Sequence, residues 1–474
     1  MVNREEILTL LQSWERKYPV DQWEINGIHV WPILRVRLLF VFYNSEAKNA
    51  TVNRQSKKEK IGLLKKFMLI IKGLLFWLKL AFNALPKVEY LFFSYSSYTD
   101  PKLGDLDKFC SQIIASLSGS STLFQMKIGS QGFVPNGGVD LNPAIYILEI
   151  LIYKLRKKTK FIHKLKQFEE FKNELLDLAP EHARTIVNIK FLEHQVRRIS
   201  MQADFLEKII YAVAPKAIFH VCYYNNFGIN HAGFKNQIPV IDIQHGVLGS
   251  INAHYMGWSN KPKNGFNIMP SHFWCWSDED AQFINTTNKT KCGFKGGNPL
   301  FKILNERSNK QSFPYSEETC ILYTLQNRTE ILPKELKKAI LSSKKTRWLF
   351  RLHPAQRENM EQIIEEILAE IPSGNLDFDI ANSWSVIDLI AVVDLHITGY
   401  SATIIEAAIL GVNSIAIHPS ARDYFNNSQY KDFIFYLNDQ EDLNDLILHA
   451  LEASNESQPD QHLISEKLLL KEIG

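Results

Sequence analysis

The chain has 474 residues, 45% hydrophobic and 22% charged. That is globular composition, and the length exceeds the ~250–300 residues at which a single core stops growing, so two domains are expected. A net charge of +3 with no nucleic-acid-binding signature argues against a nucleic-acid partner, and Cys110, Cys222, Cys275, Cys292 and Cys320 form no C-x-x-C pair, which argues against a disulfide framework or zinc site and fits a reducing compartment.

In chain order, MVNREEILTLLQSWERKYP lacks the apolar core of a secretory signal and spaces Ile7, Leu8, Leu11 and Trp14 as an amphipathic helix. Residues 1–45 read as helical and 45–60 as a polar linker. Segment 61–85 (IGLLKKFMLIIKGLLFWLKLAFNAL) is the most hydrophobic stretch, but Lys65, Lys66, Lys72 and Lys79 interrupt it. A spanning helix needs about 20 predominantly apolar residues. Lysines on one side and Phe67, Leu74, Leu75, Phe76, Trp77 and Leu78 over the rest instead form the pattern of a helix lying in a membrane surface. Lys57, Lys58 and Lys60 add charge upstream, and Lys154, Arg156, Lys157, Lys158 and Lys160 offer a second basic run. The competing reading is a helix on the protein's own core with its lysines in water.

Strands are expected at 88–95 and 122–128, then mostly helix over 165–212. Apolar strands AIFHVCYY (217–224) and PVIDIQHG (239–246) follow, with a helix between them around 230–235. Beyond a polar linker at 299–318, strands at 320–326, 347–354, 376–380, 394–399 and 413–419 alternate with helices at 333–343, 358–371, 384–391 and 402–411. This alternation predicts an α/β fold of two Rossmann-like domains facing across a cleft, with extra N-terminal helices. The expected division is 1–86, a helical region with the membrane-surface segment; 87–300, the acceptor domain; and 315–474, the nucleotide-donor domain.

In such folds ligands bind at the carboxyl ends of strands, and four motifs fall there. RLHP closes one strand: Arg351, His353 and Pro354 suit a donor phosphate or leaving nucleotide, or simply a structural turn. TGYSATIIEAAILG puts Ser401 and Thr403 at a helix start, where free N–H groups suit a phosphate or ordinary N-capping. Glu406 on that apolar helix needs a polar partner, such as ribose hydroxyls or a backbone N–H. IDIQHGVLG ends a strand with His245, a candidate general base, and Gly246, which admits a tight turn or close approach, beside Tyr223, Tyr224, Asn225 and Asn226. GGNPLF carries Asn298 in a turn at the domain junction. The acids of SDED (277–280) read as a solvated turn or helix start.

The order QHG, GNP, linker, RLHP, S-x-T-x-x-E resembles bacterial glycosyltransferases of the GT-B fold that build capsules and surface polysaccharides. The sialyltransferase- and Kdo-transferase-like His-Pro and Ser/Thr motifs imply donor contacts from His353, Pro354, Ser401 and Thr403. The similarity to teichoic-acid glycerophosphotransferases implies that His245, with Gly246, acts as base. The resemblance covers roughly 215–420. Position 414 is Ser, so no Glu-x7-Glu pair starts at Glu406, and no acidic-acidic-glycine motif is present.

The expected function is metal-independent glycosyl transfer from a nucleotide-activated sugar, with a CMP-sugar the preferred donor, to a surface polysaccharide or lipid-linked glycan. Catalytic roles fall to His245 and His353, donor contacts to Arg351, Pro354, Ser401, Thr403 and Glu406, and cleft positions to Gly246, Asn225 and Asn298. No metal and no separate cofactor is expected. The expected location is cytoplasmic, peripheral on the inner face of the membrane. The alternatives are a polyol-phosphate transferase, a sugar-nucleotide epimerase of the same fold, or a non-catalytic subunit of a polysaccharide assembly complex.

Overall fold

A computed structural model describes residues 4–46, 63–95, 99–100, 106–126, 138–155, 160–178, 187–248, 252–301, 313–326, 330–353, 356, 359–372, 374–425, 428–438, 440–453 and 462–474. Two parallel sheets carry the chain. The first contains β1 (Tyr90–Tyr95), β2 (Ser121–Met126), β3 (Val139–Asp140), β4 (Ala217–Val221), β5 (Val240–Ile243), β6 (His272–Cys275) and β7 (Gly293–Lys295). The second contains β8 (Thr319–Thr324), β9 (Thr346–Arg351), β10 (Leu376–Asp377), β11 (Leu395–Thr398), β12 (Ser414–Ala416) and β13 (Ile434–Tyr436). The strand orders are 3-2-1-4-5-6-7 and 10-9-8-11-12-13, so both sheets are doubly wound in the Rossmann manner and form the expected pair of domains. Strands buried on both faces need apolar runs, and YLFFSY and AIFHV supply them.

The helices are α1 (Arg4–Lys17), α2 (Trp31–Glu46), α3 (Leu63–Ala81), α4 (Cys110–Ser116), α5 (Asn142–Leu155), α6 (Phe168–Leu178), α7 (Ile189–Val213), α8 (Phe227–Asn236), α9 (Asp278–Asn288), α10 (Lys334–Ser342), α11 (Met360–Glu370), α12 (Asp379–Ser383), α13 (Val386–Ile390), α14 (Thr403–Ile409), α15 (Ala421–Phe425), α16 (Leu443–Glu452) and α17 (Glu466–Ile473). One core joins the domains: Phe92, Phe219, Ile243 and Trp274 share a cluster with Ile404, Ile405 and Ala408 of α14 and Phe425 of α15. Leu469 of α17 lies in the same cluster. The last helix therefore returns to the first domain, where Ile464 N donates to Gly296 O (2.9 Å).

Several elements differ from the sequence expectation. The 1–45 region is interrupted by a hairpin, Glu24–Ile25 with Ile28–His29. Its turn residues Asn26 and Gly27 both have positive φ, the geometry that Asn-Gly favours in a two-residue hairpin. The strand expected over 217–224 stops at Val221, because Cys222 turns left-handed (φ 66). The strand expected over 376–380 is only Leu376–Asp377; Asp377 Oδ1 then accepts from Ala381 N (3.1 Å) and opens α12.

A second core holds Trp14, Trp23, Trp31 and Phe171. Within it the fully buried Arg35 pairs with Glu15 and donates from Nη2 to Met256 O (2.6 Å), with its guanidinium over Trp258 (4.1 Å). Glu15 Oε2 accepts from Ser259 N (2.6 Å). The N-terminal helices thus brace the loop around 254–259.

Helix α3 has two apolar faces. Phe76 and Leu80 are buried, and Gly73 lies so close to Pro143 of α5 that a Cβ there would meet Pro143 O at 2.4 Å. Leu64, Phe67, Ile71, Leu74, Leu75 and Leu78, with Phe82 just beyond, are exposed at helical spacing, up to 79% at Phe82. Lys66, Lys72 and Lys79 are exposed on the same helix. Among the described residues no helix is long and apolar enough to cross a membrane. Lys57, Lys58, Lys60, Arg156, Lys157 and Lys158 lie outside the described residues.

Candidate active-site cleft

In a doubly wound sheet the crevice opens where the strand order reverses: beyond β1 and β4 in the first domain, and beyond β8 and β11 in the second. In the first, Asn226 ties the two strand ends together: its Oδ1 accepts from Tyr95 Oη (2.9 Å) and its Nδ2 donates to Val221 O (3.0 Å). Cys222 holds a left-handed backbone that costs a non-glycine residue energy, and such strain clusters at functional sites.

Just beyond β5, Gln244 clamps the turn that presents His245. Its Nε2 donates to Gly246 O (3.0 Å) and to Asp280 Oδ2 (2.9 Å), and its Oε1 accepts from Trp276 N (2.8 Å). Burial raises the Asp280 carboxyl to about 6, against the pull of the Gln244 bond. His245 opens into a cavity of ≈ 230 Å³ walled by Tyr224, Asn252, His254 and Tyr255 of the first domain and Tyr424 of α15. Tyr255 Oη lies 3.3 Å from His245 Nδ1, and the Tyr224 ring stands 4.6 Å from His254. Burial lowers the His245 imidazole to about 4, while the Ile243 carbonyl pulls the other way. At neutral pH it is an uncharged group able to give or take a proton.

The second domain holds its polar residues inward. His396 of β11 is fully buried; Nε2 contacts Thr324 Oγ1 (2.9 Å) and Thr403 Oγ1 (3.4 Å), and Nδ1 contacts Ser414 Oγ (2.9 Å). Tyr400 N donates to Gln326 Oε1 (2.7 Å), joining the loops after β8 and β11. The Tyr400 ring lies 4.9 Å from His418 and parallel to Tyr424 (5.8 Å).

No protein-family model matches the chain, and comparison with curated protein sequences gives no match. Among solved structures it is similar to UDP-GlcNAc 2-epimerase from Neisseria meningitidis (12% identity, 81% of this chain and 99% of that one, TM-score 0.49). It is also similar to the UDP-GlcNAc 2-epimerase from Methanocaldococcus jannaschii (11%, 81% and 98%, TM-score 0.47) and to S. aureus MnaA with UDP (11%, 77% and 88%, TM-score 0.45). At such identities, and with TM-scores below 0.5, these likenesses carry no conclusion about the site.

The sequence-derived residues fall as follows. His245 and Gly246 line the cavity, and a Cβ at Gly246 would meet open space. Its φ is not left-handed, so the turn does not require glycine. Ser401 Oγ accepts from Thr403 N (3.3 Å), while the Thr403 hydroxyl faces the interior network. Glu406 Oε2 is buried without a hydrogen-bond partner; burial raises its carboxyl, opposed by Lys108 of the first domain and by Arg351. Arg351 Nη1 donates to Ala381 O (2.7 Å) and Trp384 O (2.8 Å).

His353 lies two residues beyond β9, half-buried, its backbone N–H donating to Gln356 Oε1 (2.8 Å), and burial lowers its imidazole. It does not line the cavity of His245. Asn225 is exposed and donates to Cys222 Sγ (3.1 Å). Asn298 is buried and accepts from Leu300 N (3.0 Å), a turn-forming role. Pro354 lies outside the described residues. Sequence reasoning missed Asn252, His254, Tyr255 and Tyr424. The aromatic and histidine density of NAHYMGW (252–258) was the available signal.

Proposed function

We propose that the chain transfers a glycosyl group from a nucleotide-activated donor to a glycan or lipid-linked acceptor, with His245 exchanging the proton of the reacting hydroxyl. The observation that carries this reading is the position of His245. It sits at the carboxyl end of β5, in a small cavity closed by Tyr424 of the opposite domain. The imidazole is neutral and can accept a proton, and burial, which lowers it to about 4, makes it a weaker base than a free histidine. The donor belongs to the second domain, where Glu406 offers an unsatisfied carboxylate oxygen to ribose hydroxyls and Arg351, His353 and Ser401 stand at strand and helix ends. Lys108 and Arg351 beside Glu406 make the surroundings favourable to a phosphate. CMP-sugars are the first donors to try.

The exposed apolar face of α3 supports an acceptor held at a membrane, on the inner face of the cytoplasmic membrane. Its leucines and phenylalanines suit acyl chains and its lysines suit anionic headgroups. A second reading, a sugar-nucleotide epimerase, is favoured by the presence of two histidines, His245 and His254, around one small cavity. An epimerase would turn over a nucleotide sugar with no acceptor present.

The test is a thermal-shift screen against CMP, CDP, UDP, GDP and their sugar conjugates, since a ligand of the folded state raises the melting temperature. A shift with one nucleotide class, diminished in His353→Ala, supports the donor site; no shift with any of them removes the nucleotide reading. Product analysis with and without acceptor then separates transferase from epimerase. For the membrane, co-sedimentation with phosphatidylcholine/phosphatidylserine vesicles is expected for the native chain and lost in Leu74→Glu/Leu78→Glu. Native protein that stays in the supernatant would sink that part.

A further inference from the structure

A second cavity, of ≈ 800 Å³, opens in the first domain and takes no part in the reading above. Val240 and His272, the first residues of β5 and β6, line it. It therefore lies at the amino ends of these strands, whereas His245 follows the carboxyl end of β5. Tyr255 is the one lining residue that the two cavities share. The volume falls within the about 300–1,000 Å³ of small-molecule sites, which are mostly apolar with a few placed polar groups. Here Phe234, Ile238, Trp258, Phe266, Met269 and Phe273 supply the apolar wall.

The charge on this wall has one sign. Lys235 and Lys261 line the cavity, and among the described residues no aspartate or glutamate does. Lys235 is already paired with Asp204 (3.3 Å) and Glu207 (2.6 Å). Lys261 is half-buried and donates from Nζ to the carbonyl of Asn288, the last residue of α9. That is one of the three hydrogen bonds an ammonium can give. Glu15, the acid whose charge is felt at Lys261, is bound to Arg35. Burial lowers the Lys261 ammonium because the cation loses hydration there, and an anion beside it would offset that loss. His272 adds no charge at neutral pH, since burial lowers its imidazole too. The buried wall residues Trp258 and Asn288 each keep a polar atom without a partner, Nε1 and Oδ1. A wall built only to pack on itself would satisfy them. We propose that this cavity is a second ligand site, for a small, mainly apolar molecule carrying one anionic group, with Lys261 recognising the anion and the aromatic wall holding the body. The site is independent of the transferase reading.

Cys292 lines the same cavity and is only half-buried, whereas Cys110, Cys222, Cys275 and Cys320 are buried. Its alkylation by N-ethylmaleimide in the full native chain, followed by mass spectrometry of the Cys292 peptide, therefore reads occupancy here and not on the exposed face of α3. The compounds are naphthalene-1-sulfonate and octanoate, each beside its uncharged amide. The anions are expected to slow alkylation at concentrations about tenfold or more below those their amides require, the effect of a charge-assisted hydrogen bond. Lys261→Met should erase that preference. The ring and chain compounds separate a flat ligand from an acyl one. Should Lys261→Met fail to fold, the comparison of anion with amide in the native chain decides. Equal protection by anion and amide, or a preference that survives in Lys261→Met, overturns recognition of an anion by Lys261. Protection by none of the four compounds, or a Cys292 that does not react in the free chain, overturns the site.

Discussion

The two sheets share one strand order and differ in what they leave at the crevice. The first ends in a strained Cys222, an imidazole in an aromatic cavity and an acid without an aligned partner. The second ends in hydroxyls and a histidine that satisfy one another: Thr324, Thr403 and Ser414 around His396. The same topology therefore supports two solutions. Polar groups left underused at a strand end are available for chemistry, whereas polar groups satisfied internally stiffen the scaffold that must hold a ligand. The largest effect that tests this contrast is on turnover. His245→Ala is expected to cost about 10²–10⁴ in kcat with the melting temperature unchanged, the range of a lost acid–base group. Thr403→Val should cost less than about tenfold in kcat yet lower stability by about 1 kcal/mol, the worth of one buried hydrogen bond. A Thr403 variant as inactive as the His245 variant would break the contrast.

Next in size is the brace under the first crevice. Arg35 and Glu15 are both fully buried and hold the loop that carries His254 and Tyr255. Glu15→Gln leaves the guanidinium without its counter-charge, and breaking such a pair costs about 3–5 kcal/mol. Chemical denaturation should show that loss, and activity should fall with it because Tyr255 loses its fixed position. Stability unchanged in Glu15→Gln would mean the pair is solvated and the loop is held otherwise.

These two cases also mark what the sequence makes legible. Apolar runs such as YLFFSY and AIFHV announce strands buried on both faces, and their alternation with helices suffices for two doubly wound domains. The motif positions of His245, Arg351 and Ser401 at strand ends follow from the same reading. The cavity does not. Tyr255 reaches it from an aperiodic loop pinned by Arg35, more than 200 residues earlier, and Tyr424 reaches it from the other domain. Neither pairing has a local period or spacing. The hairpin at Asn26–Gly27 is a different kind of miss: its dipeptide is the strongest short-range turn signal, outweighed by the helical periodicity on both sides. Thr403 shows a further limit, since a helix-start threonine looks alike whether its hydroxyl faces a ligand or His396.

The third test is pH. Burial lowers His220 and His396 to about 3 and His245 to about 4, from 6.5. The folded chain keeps these rings neutral while the unfolded chain protonates them, so unfolding takes up protons below 6.5. Stability is full above that pH and falls toward 3–4, each histidine contributing a slope of about 1.4 kcal/mol per pH unit. His396→Asn should flatten one such share of the acid limb without touching kcat by more than about tenfold, keeping the second sheet structural. An acid limb of unchanged slope would place His396 outside this balance.

The smallest effect concerns the strap that joins the two halves. Glu466 at the start of α17 accepts from the Ser118 hydroxyl, from Tyr90 Oη (2.6 Å) and from Ser118 N (2.8 Å) of the first domain, and these bonds, the Ser118 hydroxyl first, lower its carboxyl to about 2. Its contribution is therefore present above 4.5, the ordinary value, and lost as pH falls toward 2, below the window of the histidines. Because Glu466 is only partly buried, solvent screening reduces its worth to a few tenths of a kcal/mol. Melting curves of the native chain and Glu466→Gln should differ slightly above 4.5 and converge below it. The buried Leu469, not the carboxylate, then supplies most of the hold on α17. A large, pH-independent loss in Glu466→Gln would instead make its hydrogen bonds the principal tie between the C-terminal helix and the first sheet.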